Sequence, residues 1–113
     1  MPRIARTVVP HRPRYVTQRG NNQHDVFFLD DDLIFYLRIL KKYVVEEGVR
    51  IPAYCLMRDL VHVVAVPSHT ESLATTMGRT HFVYTQHVND MHSRSGYLWQ
   101  NRFFSCPLDE EHL

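Results

Sequence analysis

The chain has 113 residues, with 13 Lys and Arg against 12 Asp and Glu, and 44% of positions are apolar. A chain of that length buries roughly two thirds of its unfolded surface, so one ordinary core forms without disulfides or a structural metal. No apolar run approaches the ~20 residues of a membrane span, and the start Met1-Pro-Arg-Ile-Ala-Arg6 leads into no apolar signal core. A soluble cytoplasmic protein with no membrane partner is expected.

Cys55 and Cys106 are the two cysteines, in no CxxC and in no pairing with histidine at zinc-finger spacing. Both read as reduced thiols in half-buried strands. The net charge of +1 conceals a segregation, because residues 1–24 carry Arg3, Arg6, Arg12, Arg14 and Arg19 and no carboxylate. Such a basic arm suits a polyanionic partner, or is a solvated terminus.

The elements follow in chain order. Residues 14–18, Arg-Tyr-Val-Thr-Gln, lie between Pro13 and the turn signal Gly20-Asn21-Asn22 and read as a short first strand. From Asp30, the positions Leu33, Tyr36, Leu37, Leu40, Tyr43 and Val44 recur at helical spacing, with three aspartates at the start and Gly48 at the stop. The spacing predicts an amphipathic helix whose charges suit its dipole and whose C-cap is glycine. Residues 49–57 alternate, with Val49, Ile51, Ala53, Cys55 and Met57 expected on one face, and Val61 to Val66 follow after Arg58-Asp59. These are two strands of a tight hairpin, and Pro52 argues against a central position for the first. Ser68-His-Thr-Glu71 fits a capping box, and Leu73, Met77, Tyr84, Val88 and Met91 mark a second helix as far as about Ser93. Arg102 to Cys106, stopped by Pro107, is the last strand.

The order β-α-β-β-α-β predicts an α+β fold, the ferredoxin-like sandwich: an antiparallel four-stranded sheet with two helices on one face. The other sheet face is left open to a ligand. Residues 1–113 are read as one domain, with a basic N-terminal arm over 1–13.

Four stretches carry more: Met1 to Arg6 with Tyr15-Val-Thr-Gln-Arg-Gly-Asn21; Ala53-Tyr-Cys-Leu-Met57; Arg94-Ser-Gly-Tyr-Leu-Trp-Gln-Asn-Arg-Phe-Phe-Ser-Cys-Pro-Leu108; and Asp109-Glu-Glu-His-Leu113. Together they resemble the REP-associated branch of the single-tyrosine HUH transposases, relatives of the IS200/IS605 transposases. The resemblance runs from residue 1 to residue 113. It implies site-specific cleavage and rejoining of single-stranded DNA at the foot of a hairpin, by a homodimer. It further implies two histidines at i and i+2 of a strand holding a divalent metal, Mg or Mn, and a tyrosine on a later helix that forms a covalent phosphotyrosine.

This chain departs from that pattern. The first metal histidine is matched by Leu60, which has no lone pair, while His62 keeps the second position. One imidazole alone does not satisfy a hard cation that prefers several oxygen ligands, so metal binding is expected to be weak or absent. The tyrosine-bearing catalytic helix is expected to begin near Leu108 to Leu113 and so to be missing, which leaves no catalytic residue to assign. Tyr36, Tyr43 and Tyr84 fall on apolar helical stripes and read as core.

DNA recognition does not need the nucleophile. The candidate contacts are Arg14, Gln18, Arg19, Gly20 and Asn21, where a glycine turn exposes backbone N–H groups and Arg19 pairs with phosphate. The second group is Arg94, Tyr97, Trp99, Gln100 and Arg102, where guanidinium and aromatic groups interleave as single-strand binders require. Trp99 reads equally as a stacking platform and as an anchor on the core. His69, His81, His87 and His92 show no i, i+4 metal pair and read as surface or capping residues. The expected function is binding of single-stranded or hairpin DNA by a transposase relative that cleaves poorly. The alternatives are an active transposase completed by a partner or a further segment, and a dimerising remnant that binds no DNA.

Overall fold

The computed structural model describes residues 8–108. Arg3 and Arg6 of the basic arm, and Asp109 to Leu113, lie outside the described residues. Seven elements follow in order: β1 (Arg14–Arg19), a short 3-10 turn (Asn21–Gln23), α1 (Asp30–Glu47), β2 (Arg50–Met57), β3 (Leu60–Val66), α2 (Ser72–Met91) and β4 (Phe104–Pro107). The sheet runs β2-β3-β1-β4 with every neighbouring pair antiparallel. The expected β-α-β-β-α-β order and α+β sandwich are therefore present.

Val16, Val61, Val63 and Ala65 point from the sheet into the core, and Tyr36, Ile39, Leu40, Leu73, Met77, Tyr84 and Val88 meet them from the two helices. Alternation puts Tyr15, Thr17 and Arg19 of β1, with Leu60, His62 and Val64 of β3, on the opposite, open face. Tyr36 and Tyr84 are fully buried and meet edge to face at 5.3 Å, as their helical spacing predicts. Their hydroxyls are held protonated by burial, far above the ordinary phenol range.

Three local expectations are corrected. Between Arg50 and Ala53 the β2 register slips by one residue against β3, a bulge at Pro52. The bulge reverses the alternation. Leu56 pairs with Val61 and packs on the core, whereas Ala53, Cys55 and Met57 pair with Val64, His62 and Leu60 on the open face. Cys55 is consequently exposed rather than half-buried, and Pro52 sits in an edge strand, where its missing N–H costs no ladder bond.

The Ser68 capping box does not form. α2 begins at Ser72, and the Ser68 hydroxyl instead donates to the Glu47 carbonyl at 3.2 Å, closing the end of α1. Gly48 is required there: its φ is +69°, and a Cβ would stand 2.5 Å from the Ser68 hydroxyl.

His81, expected at the surface, is buried in α2. Its Nε2 hydrogen-bonds the Tyr36 hydroxyl at 2.8 Å, and burial pushes its pKa down to about 3, so the ring is neutral. His87 and His92 donate from Nε2 to the buried Asp32 carboxylate at 3.3 and 3.1 Å. Asp32 also accepts from the backbone N–H groups of Phe28 and Leu29 at 3.0 and 2.9 Å, fixing the entry to α1. Burial pulls the Asp32 pKa upward, but these four donors outweigh it and hold the carboxyl below its ordinary range.

Candidate nucleic-acid interface

The two sequence stretches read as DNA contacts are far apart in the chain, and the fold stitches them together. Asn21 N donates to Leu98 O at 2.9 Å, Gln100 N donates to Arg19 O at 2.8 Å, and Gly20 forms a bridge with Trp99. The segment after α2 is thereby pinned across the end of β1. Leu98 is buried beneath it, and Trp99 packs at a tilt against His81 at 4.5 Å between centroids, with Tyr84 at 6.0 Å. The anchor reading of Trp99 is the one this geometry supports. Tyr97, two residues earlier, is 85% exposed and offers its ring to solvent.

Two grooves open along this seam. One, of about 770 Å³, is lined by Asn21, Tyr97, Trp99, Asn101, Arg102, Phe103 and Phe104. Beside it a second, of about 540 Å³, is lined by Asn21, Asn22, Gln23, Gln100 and Asn101. Neither is lined by a carboxylate among the described residues. Aromatic rings, an arginine and side-chain amides in one cleft form the chemistry of a single-strand platform: stacking surfaces, one phosphate partner and hydrogen-bonding edges.

The sequence candidates divide in this frame. Arg19, Asn21, Tyr97, Gln100 and Arg102 reach the surface at the seam, with Trp99 beneath them. Arg14 and Gln18 do not reach it, because alternation turns both to the helix side of the sheet, where they are 5% and 3% exposed. Arg14 donates from Nε and a terminal nitrogen to the Ser105 hydroxyl, tying β1 to β4. Gln18 donates from its amide to Gln100 O at 3.1 Å, supporting the seam from below.

Gly20 exposes no N–H either. Its amide donates to Asp59 O at 2.9 Å, and a Cβ there would lie 2.1 Å from His24 O, so glycine serves a close backbone approach. Arg94 is tied back to Asn89 at 3.1 Å, capping the end of α2. The sequence reading omitted Asn22, Gln23, Asn101 and Phe104. The runs Asn21-Asn22-Gln23 and Gln100-Asn101 were the available signal.

His62 lies on the open face, where its Nδ1 hydrogen-bonds the Tyr15 hydroxyl and the two rings stack. Thr17 pairs with His62 on one side and Phe104 on the other, so the histidine and the aromatic groove occupy one row across the sheet. Two strand spacings separate them, roughly 10 Å. Leu60, two pairs along and on the same face, offers no lone pair. Among the described residues no three His, Cys, Asp or Glu side chains are grouped to hold a metal ion. These residues do not fit a divalent metal centre, and no chemical step is derived through one. Among the same residues no helix is long and apolar enough to cross a membrane.

The fold recurs in solved structures. It matches a REP-associated tyrosine transposase bound to a REP hairpin with a TM-score of 0.76 at 13% identity, over 97% of this chain and 64% of that one. The chain thus spans less than two thirds of that relative. It also matches a protein from Deinococcus radiodurans R1 provisionally assigned as a transposase, with a TM-score of 0.63 at 20% identity, over 96% of this chain and 88% of the other. At such identities the likeness establishes the fold. No curated protein matches the sequence. A family model described as "Transposase IS200 like" matches residues 16–113, and on that match the chain belongs to the IS200-like transposase family.

Proposed function

We propose that this protein binds single-stranded or hairpin DNA as a transposase relative whose own strand cleavage is impaired. The carrying observation is the seam that joins Arg19 and Asn21 to Tyr97 and Arg102 around one aromatic and amide-lined groove. The hairpin bound by the related REP-associated transposase supports the choice of ligand. Exposed rings stack on unpaired bases, Arg19 and Arg102 face the phosphates, and the carboxylate-free charge of residues 1–24 adds to the attraction. Impairment rests on Leu60, since a leucine in the first histidine position removes half of the metal-binding pair that the resemblance implies. Homodimerisation is part of the same reading and is tested by light scattering, which should return twice the chain mass.

Fluorescence anisotropy of a labelled hairpin with a single-stranded flank, against a blunt duplex, tests the proposal across a salt titration. About five phosphate contacts give a log-log salt slope near −3.5, roughly a hundredfold loss between 50 and 200 mM. Tyr97→Ala should weaken binding about tenfold, as expected for one lost stacking platform, and leave the melting temperature unchanged. Equal, weak binding to both DNAs would overturn the proposal, and metal-dependent nicking of the hairpin would overturn the impairment.

A further inference from the structure

On the open face of the sheet a thiol and a thioether stand beside an imidazole. Cys55 of β2 lies directly opposite His62 of β3, and Met57, two residues along on the same face, lies opposite Leu60. Cys55 is exposed with a free thiol, and Met57 is 47% exposed. Next to them is a small hollow of about 200 Å³, with Tyr15, Ala53, Cys55, His62 and Val64 in its wall and no carboxylate or cationic side chain there. Such a wall offers a phosphate no cation and a hard dication no carboxylate.

The spacing suits one ion. Directly opposed residues of antiparallel strands hold their Cβ atoms about 5 Å apart, and a single ion bridges that span with bonds of about 2.0 to 2.3 Å, the lengths that imidazole nitrogen and thiolate sulfur make to a metal. Met57 sits diagonally from His62, at a spacing of about 7 to 8 Å that a long side chain crosses. Its unbranched, freely rotating stem lets the sulfur turn toward the pair. The imidazole is already held, because its Nδ1 hydrogen-bonds the Tyr15 hydroxyl and the two rings stack with 28° between their planes. A hydroxyl donates or accepts, so Nδ1 keeps this partner in either tautomer. With the hydrogen on Nδ1, Tyr15 accepts it and Nε2 carries a bare lone pair, the arrangement in which an outer partner orients a metal-bound histidine. Nε2 has no hydrogen-bond partner among the described residues.

We propose that Cys55, Met57 and His62 form a binding site for a soft monovalent cation of the Cu⁺ class. Thiolate and thioether sulfurs select such an ion, and imidazole suits copper as well, whereas Mg²⁺ and Mn²⁺ need oxygen ligands that this face lacks. Zn²⁺ draws on cysteine, histidine and carboxylate and leaves a thioether unused. The Cys55 thiol releases its proton to solvent as the Cu–S bond forms, and no electron is transferred. The site needs neither a histidine at position 60 nor a carboxylate, and it stands independently of DNA binding.

The test titrates Cu⁺, supplied as its acetonitrile complex under nitrogen, into the protein in competition with a chromogenic Cu⁺ chelator. One equivalent should be retained, X-ray absorption should show nitrogen and sulfur together around the ion, and excess Zn²⁺ should not displace it. Cys55→Ser should abolish retention, and Met57→Leu should remove one sulfur from the absorption spectrum. Tyr15→Phe should weaken retention about 10- to 100-fold, the cost of losing a group that orients a ligand. Cys106→Ser should change nothing, because Cys106 lies in β4, three strand spacings or roughly 14 Å from Cys55. All four metal-free variants should melt with the parent. No retention against the chelator, sulfur neighbours without nitrogen, retention that survives Cys55→Ser, or displacement by Zn²⁺ overturns the proposal. An unchanged spectrum in Met57→Leu removes the thioether from the site, and an unchanged affinity in Tyr15→Phe overturns the orienting role of the phenol.

Discussion

Replacing His81 with glutamine should remove a large part of the acid sensitivity of this fold. The ring is buried against Tyr36 and Trp99, and it is neutral because desolvation lowers its pKa from 6.5 to about 3. Between those values the unfolded chain holds a proton that the folded chain does not. Protonation therefore favours unfolding, and the stability attached to the neutral ring is complete above pH 6.5 and lost progressively towards pH 3. Each pH unit is worth roughly 1 kcal/mol, so falling from pH 6.5 to 4.5 costs roughly 2 kcal/mol from this residue alone. Glutamine keeps an acceptor for the Tyr36 hydroxyl but does not titrate. Urea unfolding at half-unit steps of pH, for parent and His81→Gln, isolates the effect, because the other ionisable groups are common to both chains. The variant starts less stable at pH 7 and loses roughly 2 kcal/mol less by pH 4.5. Parallel pH curves would refute the buried neutral imidazole.

Asp32 acts in a lower window. Its folded pKa lies below the ordinary 3.8 of an aspartate, so its contribution is present above about pH 4 and is lost as pH falls through the folded value. Asp32→Ala strands two backbone N–H groups and two imidazoles and should cost about 3 kcal/mol in chemical denaturation; a cost under about 1 kcal/mol would show that the cluster is incidental. Gly20→Ala places a Cβ 2.1 Å from His24 O, and about 3 kcal/mol of destabilisation is expected, measured as a lowered urea midpoint. Leu60→His restores a histidine two residues before His62 on the same face, and calorimetry should detect Mn²⁺ binding in the variant that is at least tenfold tighter than in the parent. Equal affinity in the two proteins would show that the strand face does not present both rings to one ion.

Much of the fold was legible because its signals are local. Three aspartates, a 3.6-residue apolar period and Gly48 define α1 to within a residue, and β1 and β3 follow from β-branched runs between turn residues. The faces of the strands were less legible. In β1 the alternation separates Arg14, Val16 and Gln18 from Tyr15, Thr17 and Arg19, and neither set is plainly the apolar one. Which set is buried depends on the side the helices occupy, a long-range outcome that single-strand composition does not encode. For that reason Arg14 and Gln18 read as surface contacts and are buried. Pro52 signalled an edge strand, but the one-residue slip it accompanies, which reverses the faces of Cys55 and Leu56, is visible only in the pairing with β3.

The candidate site was found in two pieces whose union could not be read. Gln18 to Asn21 and Tyr97 to Arg102 become one surface through backbone bonds between distant segments, and backbone bonds leave no residue-specific trace in a sequence. The anchor does leave one. In the pinned segment Trp99 turns inward onto His81 while Tyr97 faces solvent, so a single aromatic-rich stretch packs with one ring and leaves the other open. Leu60 touches neither ring. It lies on the open face among the strand centres, in a different row from Phe104 and away from the pinned lips of the groove. A metal-binding pair on the strand face and a groove at the seam would therefore rest on different residues, so a change at one does not by itself undo the other.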